Sequence, residues 1–138
     1  MTKLLHFISL RACFLIALVL FTVGKISAQS CTHNLIMTDT YGDGWNGNLA
    51  SVSVNGVLVL SNVTLNSGAG PATVTFTASA GQTIRVWRSV TGSWSYECQI
   101  RVTNNVGTTV IPTQTLQTGS ATSGGSTGTA ICASMNPT

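Results

Sequence analysis

Beyond residue 30 the apolar positions alternate with polar ones, and no stretch shows a helical period of 3.6. Between Ala72 and Ala78, Val74 and Phe76 point to one face while Thr73, Thr75 and Thr77 point to the other. Ala50 to Leu60 holds two Val-rich runs split by Asn55-Gly56. That dipeptide suits a two-residue hairpin turn, because both central residues must adopt positive φ. Ala80-Gly81-Gln82 forms a turn before a strand from Thr83 to Ser89. Thr91-Gly92-Ser93 leads into a strand from Tyr96 to Thr103, and Asn104-Asn105-Val106-Gly107 turns the chain into Thr108 to Ile111. Pro112 ends that run, since proline cannot donate to a ladder. Asn34 to Thr38 and Thr129 to Ala133 supply the first and last strands. About eight short strands at even spacing predict an all-β fold, an antiparallel β-sandwich.

The first 28 residues follow another pattern. Met1 to Arg11 is basic through Lys3 and Arg11, Ala12 to Val23 is apolar, and Gly24-Lys25-Ile26-Ser27-Ala28 ends in small residues. That is the order of a cleaved export signal, with cleavage after Ala28. The apolar run falls short of the about 20 residues that a membrane span needs. An uncleaved anchor would have to start at Leu4 and carry His6 and Arg11. A lipoprotein signal ending before Cys31 is a third reading, but Ala28-Gln29-Ser30 lacks the usual aliphatic residue three places before the cysteine. The expected plan is a signal peptide over 1–28 and a single sandwich domain over 29–138. That domain has a Gly/Ser/Thr-rich mobile loop at 117–128 and no membrane span, and the protein is secreted, extracellular or at the cell surface.

Charge narrows the function classes. The chain holds six Lys/Arg and three Asp/Glu, but Lys3, Arg11 and Lys25 belong to the signal. What remains is Arg85, Arg88 and Arg101 against Asp39, Asp43 and Glu97, a formal balance of zero. Nucleic acid and anionic membranes require a clustered basic face, so neither is an expected partner. So few charges also leave little for catalysis, and the chain reads as non-enzymatic.

Export places the cysteines in an oxidising compartment, where they can pair. Cys13 leaves with the signal, and Cys31, Cys98 and Cys132 remain. Cys31 and Cys132 lie near the two ends of the domain, and domain termini often meet, so Cys31–Cys132 is the expected bridge. Cys98 shares the apolar parity of Ile100 and Val102, as a buried free thiol would. Cys31–Cys98, leaving Cys132 free, is the alternative.

The acidic residues gather in one motif, Asp39-Thr-Tyr-Gly-Asp43-Gly-Trp-Asn46-Gly-Asn48. Gly42, Gly44 and Gly47 allow positive φ, and Asp and Asn side chains cap tight loops by accepting from backbone amides. Hard cations such as Ca²⁺ seek the same carboxylate, amide and backbone oxygens. On an EF-hand frame Asp39, Asp43 and Gly44 fall at positions 1, 5 and 6, but Tyr41 and Ala50 occupy positions 3 and 12, where oxygen ligands belong. The pattern is therefore not an EF-hand. Two readings stand: a self-capped loop with Trp45 plugging the end of the sandwich, or a Ca²⁺ loop completed by Glu97 from a distant strand.

Cys31 through Tyr41-Gly-Asp-Gly-Trp-Asn-Gly47 resembles secreted bacterial modules built on a D-S-Y-G-D-G-W-N-G signature, with Thr40 in place of the serine. Gly92-Ser-Trp94-Ser-Tyr-Glu97 matches a later G-x-W-x-x-E stretch of those modules. Thr75 to Val110 is also similar to bacterial pre-peptidase C-terminal and CUB-like sandwiches, so the likeness covers roughly residues 31–111. The resemblance implies a jelly-roll-like sandwich with a binding, adhesive or accessory role and calcium as its cofactor. By matching position it implies Asp39, Asp43, Asn46 and Glu97 as metal ligands.

Other groups offer competing readings. His33 has no evident partner and reads as an exposed residue at a strand start. Asp43 and Glu97 as a glycosidase carboxylate pair would need a deep cleft and further positioning groups. Asn62-Val63-Thr64 is a glycosylation sequon, relevant only in a eukaryotic host. Arg85, Trp87, Gln99 and Arg101 share an outward parity and, on neighbouring strands, would form a face for a sugar or peptide. Trp94 and Tyr96 make a second aromatic cluster beside Glu97. The expected function is a secreted, non-catalytic β-sandwich module that binds an extracellular glycan or surface protein, with Ca²⁺ ordering its loop. The alternative is a structural subunit that associates with copies of itself.

Overall fold

The computed structural model describes residues 28–133. The expected export signal, apart from Ala28, lies outside the described residues, as do the last five positions of the expected domain. Eight strands form: β1 (Ser30–Asp39), β2 (Leu49–Val54), β3 (Val57–Val63), β4 (Ala72–Ser79), β5 (Thr83–Val90), β6 (Cys98–Asn104), β7 (Thr109–Thr115) and β8 (Ser126–Thr129). They make two four-stranded antiparallel sheets, ordered β4-β1-β6-β7 and β3-β2-β5-β8. Joining β8 back to β1 would give the strand order of a jelly roll, so the chain is a jelly roll opened at a different connection. Cys31–Cys132 bridges that opening.

Period-two patterning builds the core. Leu35 and Met37 of β1, Val52 and Val54 of β2, Phe76 and Ala78 of β4, Ile84 and Val86 of β5, and Ile100 and Val102 of β6 all face inward and are buried. Each large aliphatic or aromatic side chain among them contributes about 1.5–3 kcal/mol on burial. The connections β1–β2, β3–β4 and β5–β6 lie at one end of the sandwich. The β2–β3 hairpin, the β4–β5 and β6–β7 turns and the disulfide lie at the other.

Several expectations need correction. The bridge is Cys31–Cys132, and Cys98 is a buried free thiol, so the Cys31–Cys98 alternative falls. Pro112 does not end β7, which runs on to Thr115; β7 is an edge strand, and its register shifts around Pro112, so the missing donor leaves no gap in the ladder. The last strand is Ser126–Thr129 rather than Thr129 to Ala133. Its Gly128 lies so close to the Val110 carbonyl and Ile111 that a side chain would clash with them. The 117–128 segment is accordingly tied to the sheet: the Gln117 carbonyl accepts from Arg88 N and the Ala121 carbonyl from Ser53 Oγ.

His33 is fully buried, not exposed. It shares the inward parity of Leu35 and Met37 and stacks on Phe76 with ring centroids 5.7 Å apart. Its Nδ1 donates to the Cys31 carbonyl at 3.2 Å, while Nε2 has no partner. Burial pushes the His33 pKa below its ordinary value, against the opposing pull of that carbonyl.

Candidate functional site

Three connections meet at one end of the sandwich. Asp39 ends β1 and is only 4% exposed. Its Oδ2 accepts from the amides of Gly42 (2.5 Å), Asp43 (3.0 Å) and Gly44 (3.3 Å), which folds the chain back over the carboxylate. Gly44 has φ +100°, and a Cβ there would come within 2.9 Å of the backbone of Leu65 and Asn66. The next residue, Trp45, is fully buried; its amide donates to the Leu65 carbonyl and its Nε1 to the Thr38 carbonyl, each at 2.8 Å. The β1–β2 loop is thereby pinned to the β3–β4 loop and to β1 itself.

Asn48 ties in the third connection. Fully buried, it donates from Nδ2 to the Trp45 carbonyl (2.7 Å) and the Ser93 carbonyl (2.6 Å), and its Oδ1 accepts from Gly92 N at 2.9 Å. Gly92 presses against the backbone of residues 46–48, leaving no room for a side chain. A turn follows, with Glu97 N donating to the Trp94 carbonyl at 3.0 Å and Thr40 N to the Glu97 carbonyl at 3.2 Å.

These links carry Glu97 to the GDGWNG loop. One carboxylate oxygen from each of Asp39, Asp43 and Glu97 lies within 4.8 Å of the other two. With Asp39 Oδ2 held by three amides, its Oδ1 is the oxygen left over, and it is buried with no hydrogen-bond partner. A buried carboxylate oxygen without a donor is costly, and it is a ready ligand for a cation. Partial burial, reinforced by the charges of Asp39 and Asp43, pushes the Glu97 pKa above its ordinary value, although Tyr96 donates to it. The arginines do not answer this charge. Arg85 donates to the Gly124 carbonyl, Arg88 to the Leu116 carbonyl at 3.2 Å, and Arg101 to Thr109 Oγ1 at 2.8 Å.

Asn46, the fourth expected ligand, turns its nitrogen rather than its oxygen to the cluster. Nδ2 donates to Asp43 Oδ1 at 3.0 Å and to the Gly44 carbonyl at 3.1 Å. It orients Asp43. The two readings of the loop therefore divide between its carboxylates: Asp39 caps the backbone through one oxygen, and Asp43 bonds no backbone amide through its side chain and is free to face an ion.

Beside the carboxylates opens a pocket of about 510 Å³ lined by Tyr41, Asp43, Trp94, Tyr96 and Glu97. Its three aromatics are 78%, 58% and 64% exposed in that order, and Trp94 and Tyr96 meet edge to face at 6.2 Å. Trp94 holds φ +53°, a left-handed conformation that bulky residues rarely adopt. Trp94 and Tyr96 were legible as a cluster from sequence. Tyr41 was not singled out for this role, although its place between the two loop aspartates was a usable signal.

The face expected from Arg85, Trp87, Gln99 and Arg101 does not form. Arg85 and Trp87 lie on β5 and Gln99 and Arg101 on β6, strands of opposite sheets whose outer faces look away from each other. Trp87 is also buried, with the Gly124-Gly125 stretch folded over it. Shared parity does not establish adjacency, because the β5–β6 connection crosses between sheets. No protein-family model, curated protein or solved structure matches the chain. The disulfide points to a non-reducing compartment, and no helix among the described residues is long and apolar enough to cross a membrane.

Proposed function

We propose that this chain is an exported, non-catalytic binding module whose ligand pocket is organised by one Ca²⁺ held between Asp39, Asp43 and Glu97. The observation that carries the reading is Asp39 Oδ1, buried and without a donor beside two further carboxylates. A hard divalent cation supplies the missing partner and neutralises two of three converging charges. Calcium takes 6–8 oxygen ligands, more than these side chains offer, so the ion keeps part of its shell for water or ligand. The ordered fold and the disulfide fit an extracellular setting, and the aromatic pocket supplies a contact surface next to the ion.

Thermal melts with calcium and with chelator test the reading, using the wild-type protein and Asp43→Ala. Calcium at about 100 times its Kd adds roughly 2.7 kcal/mol to the folded state. The wild-type melt should rise accordingly, and the Asp43→Ala melt should not move. A wild-type melt indifferent to calcium would make the motif a structural turn.

Self-association is the second reading, and one observation favours it. β3 is an edge strand that exposes Val57, Leu58 and Val59 in sequence. An apolar edge with open backbone donors and acceptors is a template for another strand. Size-exclusion chromatography decides it: a concentration-dependent dimer that Leu58→Lys disperses supports the subunit reading, and a monomer at all concentrations removes it.

A further inference from the structure

The pocket also indicates what kind of ligand the ion would help to hold. We infer that it takes a neutral sugar ring, with Trp94 against the apolar face of the ring and a vicinal pair of hydroxyls filling the open side of the calcium shell. The inference rests on the calcium reading above. Three observations carry it.

The first is the donor set. Three carboxylates leave coordination places unfilled on a cation that accepts only oxygen, so whatever completes the shell must present oxygen atoms. The second is charge. Three carboxylates and one divalent ion leave a net negative site, and Arg85, Arg88 and Arg101 are all bonded elsewhere. A carboxylate or phosphate ligand would be repelled, and an ammonium would compete with the metal for the same oxygens rather than join its shell. A neutral oxygen donor is favoured, and a polyol offers two such oxygens on adjacent carbons.

The third is shape. Tyr41, Trp94 and Tyr96 surround the carboxylates with exposed ring surface, in a pocket whose volume falls in the range of about 300–1,000 Å³ usual for small-ligand sites. A pyranose has an apolar face of C–H groups and a rim of hydroxyls, which matches aromatic walls beside an oxygen-seeking ion. Trp94 holds a left-handed backbone with its ring more than half exposed, a placement that core packing does not explain.

The experiment reads metal and sugar separately. Calcium affinity is measured by calorimetry on wild-type protein and on Trp94→Ala. The methyl pyranosides of mannose, galactose and glucose are then titrated while tryptophan fluorescence is followed, first with calcium and then with chelator. Trp94 is the exposed reporter, since Trp45 and Trp87 are buried. The expected result is a saturable fluorescence change with at least one pyranoside, abolished by chelator; in Trp94→Ala, which lacks the reporter, calorimetry should find the sugar affinity weakened roughly two- to tenfold, the scale of a lost aromatic contact. Calcium affinity should be the same in both proteins. Normal calcium binding with no response to any of the pyranosides would overturn the sugar proposal and leave the calcium reading intact. Sugar binding that persists in chelator would overturn the metal-bridged geometry. Calcium displaced by n-butylammonium, with a change in Trp94 fluorescence and no sugar response, would make the pocket a cation site and overturn the proposal. Absence of calcium binding would overturn both readings.

Discussion

Asp39 and Asp43 sit in the same loop, yet removing each should have different consequences. Asp39→Ala takes away the acceptor of three amides. Gly42 is partly exposed and Asp43 exposed, so their amides return to water, but Gly44 N is buried and stays unpaired. Losing one strong charge-assisted bond costs about 1.5–3 kcal/mol, and stranding one buried donor about 1–3 kcal/mol. Removing the unpartnered Oδ1 gives back a similar 1–3 kcal/mol or so, leaving a net loss of roughly 2–3 kcal/mol. For a domain of this size that lowers the melting temperature by roughly 10–15 °C. Asp43 is exposed and accepts only from the Asn46 side chain, so Asp43→Ala should stay within about 0.5 kcal/mol of wild type. The assay is a calorimetric or circular-dichroism melt in chelator, which isolates the metal-free fold. Equal losses in the two variants, or an Asp39→Ala protein that melts like wild type, would refute this division of labour.

Other perturbations separate the parts of the structure. Replacing both bridging cysteines, in Cys31→Ser/Cys132→Ser, reopens a loop spanning 101 residues. The chain-entropy model gives a loss of about 4–5 kcal/mol, read as a lower denaturant midpoint. His33 has a folded pKa below its ordinary 6.5, so the unfolded chain binds the proton more readily. The contribution of neutral His33 is full above about pH 6.5 and is lost as pH falls below that value, and His33→Phe should flatten this part of a stability–pH profile. Gly92→Ala forces the β5–β6 loop off residues 46–48, which should cost about 1–3 kcal/mol as overpacking and weaken calcium binding by displacing Glu97.

Legibility from sequence followed the range of the interaction. Period-two alternation fixes which face of a strand is apolar, and Asn55-Gly56 does form the hairpin turn with both residues at positive φ. The disulfide followed from the habit of domain ends to meet, and Cys98 from its parity with Ile100. The loop glycines and Asp39 announced a capped turn, which the structure contains. What parity cannot supply is the sheet to which each strand belongs. Arg85 and Arg101 look equivalent along the chain, but consecutive strands here cross between sheets at most connections, so the four-residue face fell apart. His33 differs for a related reason: with the first strand expected from Asn34, a lone histidine without a partner reads as exposed at the strand start, whereas β1 begins at Ser30 and carries His33 into the core. Glu97 is named in the sequence as the residue that would complete the loop, and Trp94 and Tyr96 as its neighbours, but the pocket they form with Tyr41 and Asp43 is not legible there, because it depends on the Asn48 and Gly92 contacts between loops far apart in sequence.

One calorimetric titration of calcium into the purified protein bears most directly on whether Asp39, Asp43 and Glu97 form a cation site. Beside the wild type stand Asp43→Ala and Glu97→Gln, neither of which removes a cap on the backbone. The account predicts one site in the wild type, loss of binding in both variants, and affinity that declines as pH falls towards the raised Glu97 pKa, because the ion binds the ionised carboxylate. No binding heat in the wild type, or unchanged binding in both variants, would contradict it.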